Sequence, residues 1–132
     1  MKEINQIEKI RDFYNDWKPS DIAFIKEINW SKNNLKIILY FQIKTNMSKW
    51  PDLTKDFIEA TFEFRNVINM KLDFTGNGLH FVSGFDIIDA SDHGLEHINF
   101  YIEDYEDGSI EFSCEDIEII SLQKPALLPN NS

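Results

Sequence analysis

From Ile22 to Ile119 the apolar residues of this chain recur at every second position, in runs broken by short polar turns. A period of two belongs to a β-strand with one face turned to a core. Ile22, Phe24, Ile28 and Trp30 form one such set, and Leu35, Ile37, Leu39, Phe41 and Ile43 the next. The loop Ser31-Lys32-Asn33-Asn34 between them pairs Trp30 with Leu35, Ile28 with Ile37 and Phe24 with Phe41. Both apolar sets then share one face, the signature of an antiparallel hairpin. Ile38 and Tyr40 on the opposite face mark the second strand as a central one.

Further along, Ile58, Ala60, Phe62 and Phe64 face one way, and Ile68, Met70, Leu72 and Phe74 keep their parity. This predicts one long bent strand, or two broken near Arg65-Asn66. Thr75-Gly76-Asn77-Gly78 reads as a turn, and Phe81, Phe85 and Ile87 as the next strand. Ser91-Asp92-His93-Gly94 is a second turn. The polar connection 45–56 carries Trp50-Pro51, and Trp50 is expected to plug one end of the core.

Only the N-terminus departs from the period of two. Ile7, Ile10, Tyr14 and Trp17, with Ile4 and Phe13 beside them, fit a helical stripe that ends before Pro19. One helix followed by six or seven strands predicts an α+β fold, with that helix packed on a curved, mainly antiparallel sheet. The expected organisation is a single domain over residues 1–122, followed by a flexible C-terminal tail over 123–132 that contains Pro125 and Pro129.

The charge is one-sided. Residues 1–66 hold 11 Lys+Arg against 10 Asp+Glu, whereas residues 67–132 hold 2 against 13. Such a polyanionic half repels nucleic acid and anionic membrane surfaces and attracts cations or basic proteins. The single cysteine, Cys114, fits a reducing compartment, and the first residues lack the pattern of a signal peptide. The expected location is the cytoplasm.

Residues 100–119, FYIEDYEDGSIEFSCEDIEI, concentrate eight carboxylates without a cation. A loop Glu106-Asp107-Gly108 with Gly108 left-handed sets Ile102 opposite Phe112 and Phe100 opposite Cys114. Tyr101 then faces Ser113, Tyr105 faces Ser109, and Glu103 faces Glu111. The parity flips before Ile117 and Ile119, so a β-bulge is expected at Glu115-Asp116. Tyrosines among acidic residues on an outer face are a common makeup of protein-binding surfaces. The candidate partner-binding residues are Tyr101, Glu103, Tyr105, Glu111, Glu115 and Asp116.

The runs F-E-F-R-N-V-I-N-M-K-L (62–72), S-G-F-D-I-I-D (83–89) and I-E-F-S-C-E-D-I-E-I (110–119) resemble small bacterial immunity proteins encoded beside polymorphic or contact-dependent toxins. The resemblance covers the C-terminal half. It implies an inhibitor that binds one cognate toxin domain and blocks its active site. Such toxins are often basic nucleases, which an acidic face would suit.

Catalytic constellations fare worse. In D-I-I-D-A-S-D-H-G-L-E-H (86–97), His93 and His97 share a face only on a helix, which Gly94 opposes. A thiol at Cys114 among carboxylates is a poor nucleophile. Pairing Ser113 with His80 or His97 is required by no spacing. Glu103 and Glu111 on a flat hairpin lack the cleft that acid–base hydrolysis needs. Neither enzyme nor cofactor is expected. The competing expectation is a small-molecule or metal-binding domain with a cavity inside the curved sheet.

Overall fold

The computed structural model describes residues 5–74 and 78–129, so most of the expected turn at Thr75-Gly76-Asn77-Gly78 lies outside it. It holds one short helix, α1 (Asn5–Arg11), and nine strands: β1 (Ile22–Ser31), β2 (Asn34–Phe41), β3 (Ile58–Arg65), β4 (Ile68–Leu72), β5 (His80–Phe81), β6 (Phe85–Asp89), β7 (Phe100–Asp104), β8 (Ile110–Cys114) and β9 (Asp116–Leu122). They form two antiparallel sheets, ordered β5-β1-β2-β3-β9 and β4-β8-β7-β6.

This corrects the expected α+β class. The protein is mostly β, and among the described residues no long helix covers a sheet. The helix ends at Arg11: Ile10 O accepts a last α-type bond from the Tyr14 amide at 2.8 Å together with a turn bond from the Phe13 amide at 3.0 Å, and beyond it the Trp17 amide reaches Tyr14 O at 2.9 Å in a further turn. Asp12, Asn15 and Asp16 favour such turns over helix interiors. The apolar stripe is still partly used. Ile10 and Trp17 are fully buried, whereas Phe13 is 74% exposed. The Arg11 guanidinium donates to Trp17 O at 3.0 Å and ties the turn back. A buried plug therefore replaces the expected helical layer.

The second correction concerns the single curved sheet. β3 belongs to one sheet and its continuation β4 to the other; β8 and β9 divide in the same way. Both crossings occur at one corner, where the Glu115 amide donates to Arg65 O at 2.9 Å. Asn66, left-handed at φ 55°, turns the first strand there. Strands that bend between sheets are a standard way to close a two-sheet core. The parity expected for 68–74 is only half realised for this reason: Met70 and Phe74 pack against the core, whereas Ile68 and Leu72 do not. Ile68 and Leu72 are 43% and 38% exposed, and a bulge between Ile68 and Lys71, with Asn69 at φ 56°, shifts the rest of β4.

Between the sheets lie Phe41, Phe62, Phe64, Phe85, Phe100 and Phe112, all buried with Ile and Leu neighbours. Phe64 and Phe112 meet edge to face at 5.0 Å across the two sheets. The β1–β2 register matches expectation at Trp30–Leu35 and Ile28–Ile37. Bulges then place Phe41 opposite Ile22 and Phe24 opposite Tyr40. Phe24 thereby joins a second, smaller cluster with Ala23, Tyr40, Phe57 and Trp50. Trp50 does plug a core, but this outer one, and its indole donates to Gln42 O at 2.6 Å. Phe81 and Phe85, expected on one strand, fall in different sheets. Beyond Leu122, Ala126 bridges to Phe57 through amide–carbonyl bonds of 2.8 and 3.0 Å.

Candidate functional site

The expected hairpin register is realised. Phe100 faces Cys114, Tyr101 faces Ser113, Ile102 faces Phe112 and Glu103 faces Glu111. Alternation sends Phe100, Ile102, Phe112 and Cys114 into the core and leaves Tyr101, Glu103 and Glu111 on the outer face.

Neighbouring strands extend this face. Asp86 on β6 stands opposite Glu103 from the other side, and Lys71 on β4 stands opposite Glu111. One transverse row thus runs Lys71, Glu111, Glu103, Asp86. Three carboxylates stand side by side, with a cation at one end only. Directly opposed like charges destabilise a sheet. Glu111 is partly compensated, since the Tyr101 hydroxyl donates to its Oε2 at 2.6 Å. That hydrogen bond, aided by desolvation and by the charges of Glu111 and Glu103, holds the Tyr101 phenol above its usual range. Glu103 makes no ion pair among the described residues.

The hairpin loop is longer than expected. The ladder stops at Asp104 and resumes at Ile110, leaving Tyr105–Ser109 as the connection. Gly108 is left-handed at φ 68°, and its amide donates to Asp104 O at 2.8 Å. Asp104 organises the loop. Its buried carboxylate accepts from Ser109 Oγ at 2.8 Å and from the amides of Glu106 and Asp107 at 3.2 and 3.4 Å. Tyr105 lies on this loop, 57% exposed, beyond the end of the acidic row.

Glu115 and Asp116 sit elsewhere, because the chain changes sheets where a bulge was expected. Asp116 opens β9 opposite Arg65, in the first sheet. Arg65 itself pairs with Glu63 and Glu118. Glu115 occupies the corner and accepts from Asn66 Nδ2 at 2.5 Å, while its other oxygen lies 3.3 Å from His97 Nδ1. Of the six candidates, then, Tyr101, Glu103 and Glu111 come together on one face. Tyr105, Glu115 and Asp116 lie at the loop, the corner and the other sheet.

Sequence reasoning missed Asp86 and Lys71, although the alternation of Phe85 and Ile87 with Asp86 already turned Asp86 outward. Cys114 is buried, and burial, with a smaller push from the Asp116 charge, raises its thiol well above the ordinary range. In the stretch 86–97, residues 86–89 belong to β6, and Asp89 at its end accepts from the Ser91 amide and hydroxyl at 2.9 and 2.7 Å in the turn that follows. Among the described residues no group of three or more His, Cys, Asp or Glu is arranged to hold a metal ion. Between the sheets the Phe residues pack with buried Ile and Leu side chains. A cleft of about 560 Å³ lies outside this core, between Tyr40, Phe57, Glu59 and residues of the segment 123–129.

A family model described as Immunity protein PIM8 matches residues 5–120. The chain belongs to this immunity protein family. The match to the PIM8 family spans both sheets and includes the N-terminal half, where the sequence alone carried no resemblance. No match was found among curated proteins or among solved structures. Membership in the PIM8 immunity family makes a toxin system the setting in which the acidic face is to be read.

Proposed function

We propose that this protein acts in the cytoplasm as a non-enzymatic inhibitor of one cognate toxin domain, a basic protein of the nuclease type, and that the outer face of the second sheet is its docking surface. The observation that carries this reading is the position of Glu103, opposed across both neighbouring strands by carboxylates, Glu111 and Asp86. The arrangement costs stability in the free protein. A cationic side chain from a partner would remove that cost on docking. Tyr101, already oriented by its bond to Glu111, offers a rigid amphipathic surface of the kind that anchors interfaces.

The acidic row would steer a basic domain toward the sheet and would act mainly on the association rate. A domain that uses cationic residues to hold nucleic acid would have those residues covered. The test is co-expression with the toxin domain encoded beside the gene. Co-purification as a stable complex with loss of toxin activity is the expected result. Separate elution with toxin activity intact would reject the reading.

A further inference from the structure

At the corner where both strand pairs change sheets there is a pocket of about 330 Å³, lined by Asn33, Asn66, Val67, Ile68 and His97. Three segments build it: the tip of the β1–β2 hairpin, the β3–β4 crossing and the connection that precedes β7. They are locked together. The Val67 amide donates to Asn33 O at 2.8 Å, the Asn66 amide to Asn34 Oδ1 at 3.3 Å, and Asn99 Nδ2 to Glu115 O at 2.9 Å. Asn66 and His97 both hold left-handed conformations, at φ 55° and 64°.

The chemistry of the lining is specific. Val67 and Ile68 supply an aliphatic wall, the first 8% exposed and the second 43%. Asn33 and Asn66 supply side-chain amides, and neither amide oxygen accepts a bond among the described residues. The Glu115 carboxylate is fixed beside them by Asn66 and His97, and Glu96 stands 3.7 Å from the far side of the imidazole. An aliphatic wall leading to two side-chain amides, with a carboxylate bonded to Asn66 and His97 next to the lining, fits a long side chain with a planar, donor-only head.

We infer that this corner pocket is an anchor site that takes one arginine side chain of the partner, with its stem along Val67 and Ile68 and its guanidinium on the side-chain amides of Asn33 and Asn66, drawn there by the charge of the Glu115 carboxylate that Asn66 and His97 hold. The inference rests on the toxin-binding reading above and deepens it. Ile68 links the two regions: it stands opposite Ser113, which stands opposite Tyr101 on the acidic face. Pocket and face therefore form one continuous surface with divided roles. The acidic row attracts, and the preformed corner retains.

The variant Asn33→Lys tests this, because Asn33 is exposed and supports the fold through its backbone oxygen. It puts a cation where the guanidinium would sit. Leu53→Lys, at another exposed position, adds the same charge away from the pocket. With the cognate toxin domain, Asn33→Lys should raise the dissociation rate by about tenfold or more while barely changing association, as truncating an anchor does. Leu53→Lys should change neither rate. Equal dissociation rates for Asn33→Lys and the unaltered protein would overturn the anchor and leave the broader reading standing.

A second arm needs no toxin. The free protein is titrated by NMR with N-acetyl-arginine amide and, separately, with its uncharged isostere N-acetyl-citrulline amide. Shifts concentrated at Asn33, Asn66 and His97 with the first compound only would support the pocket, even if no toxin domain bound. No concentrated shift there would overturn it.

Discussion

Glu103 and Glu111 face each other directly across β7 and β8, and Asp86 faces Glu103 from β6. The central carboxylate of this row has like charges on both sides. Replacing it with a neutral side chain of the same shape should therefore stabilise the free protein. Glu103→Gln is expected to gain about 0.2–1 kcal/mol, read from the urea midpoint at low ionic strength, and to gain less as salt is added. A loss of stability would mean that Glu103 makes a favourable contact in solution.

The Tyr101–Glu111 bond gives an alkaline signature. Tyr101 keeps its proton to a higher pH in the folded chain than an unpaired tyrosine does. Its contribution to stability is accordingly present below the unfolded value of about 10 and is lost as pH rises through the folded value. In a tyrosine-resolved NMR titration, Glu111→Gln should bring the ionisation of Tyr101 to lower pH than in the unaltered chain. Unchanged ionisation of Tyr101 in that variant would show that the hydrogen bond does not set it.

Asp104 holds the hairpin loop through Ser109 and two backbone amides. Asp104→Ala leaves those donors without their acceptor inside a buried turn, at a cost of about 1–3 kcal/mol. Chemical denaturation measures it, and a change within about 0.5 kcal/mol, the range of ordinary surface substitutions, would deny the carboxylate this role.

Gly84 lies under the same loop. A Cβ there would stand 2.6 Å from Glu106 Cγ and 3.0 Å from the Glu106 amide nitrogen. The flexible Glu106 side chain can move, but its backbone must shift as well. Gly84→Ala should destabilise by about 1–3 kcal/mol, as overpacking does, and should disturb the amide signals of 104–108 before those of the distant β1–β2 hairpin.

How much of this was legible in the sequence depends on the range of the interaction. The register of β7 and β8 could be read because Gly108 and the strict alternation on both sides leave one pairing that buries every apolar residue. The division into two sheets could not. Residues 62–72 keep one apolar parity throughout, and nothing local distinguishes a continuous strand from one that turns a corner at Asn66. The helix was overextended for a related reason. Ile10, Tyr14 and Trp17 satisfy a helical spacing, but Ile10 and Trp17 can be buried equally well by consecutive turns, and the turn-forming residues Asp12, Asn15 and Asp16 favour the turns. For the surface, the sequence pointed to Glu103 and Glu111 through a local hairpin. Asp86 and Lys71 complete the row only through long-range pairings.

In the proposed function the acidic row gives up folding stability in the free protein in favour of binding, and Glu103→Lys separates the two effects. A lysine at that position would be opposed by Glu111 and Asp86, so the free protein should unfold at a higher urea concentration than the unaltered chain. Association with the cognate toxin domain, followed by stopped flow across a salt series, should become slower at low salt and converge with the unaltered protein at high salt. A variant that is more stable yet associates at an unchanged rate, with unchanged salt dependence, would show that the acidic face is a solubilising surface and not a docking surface.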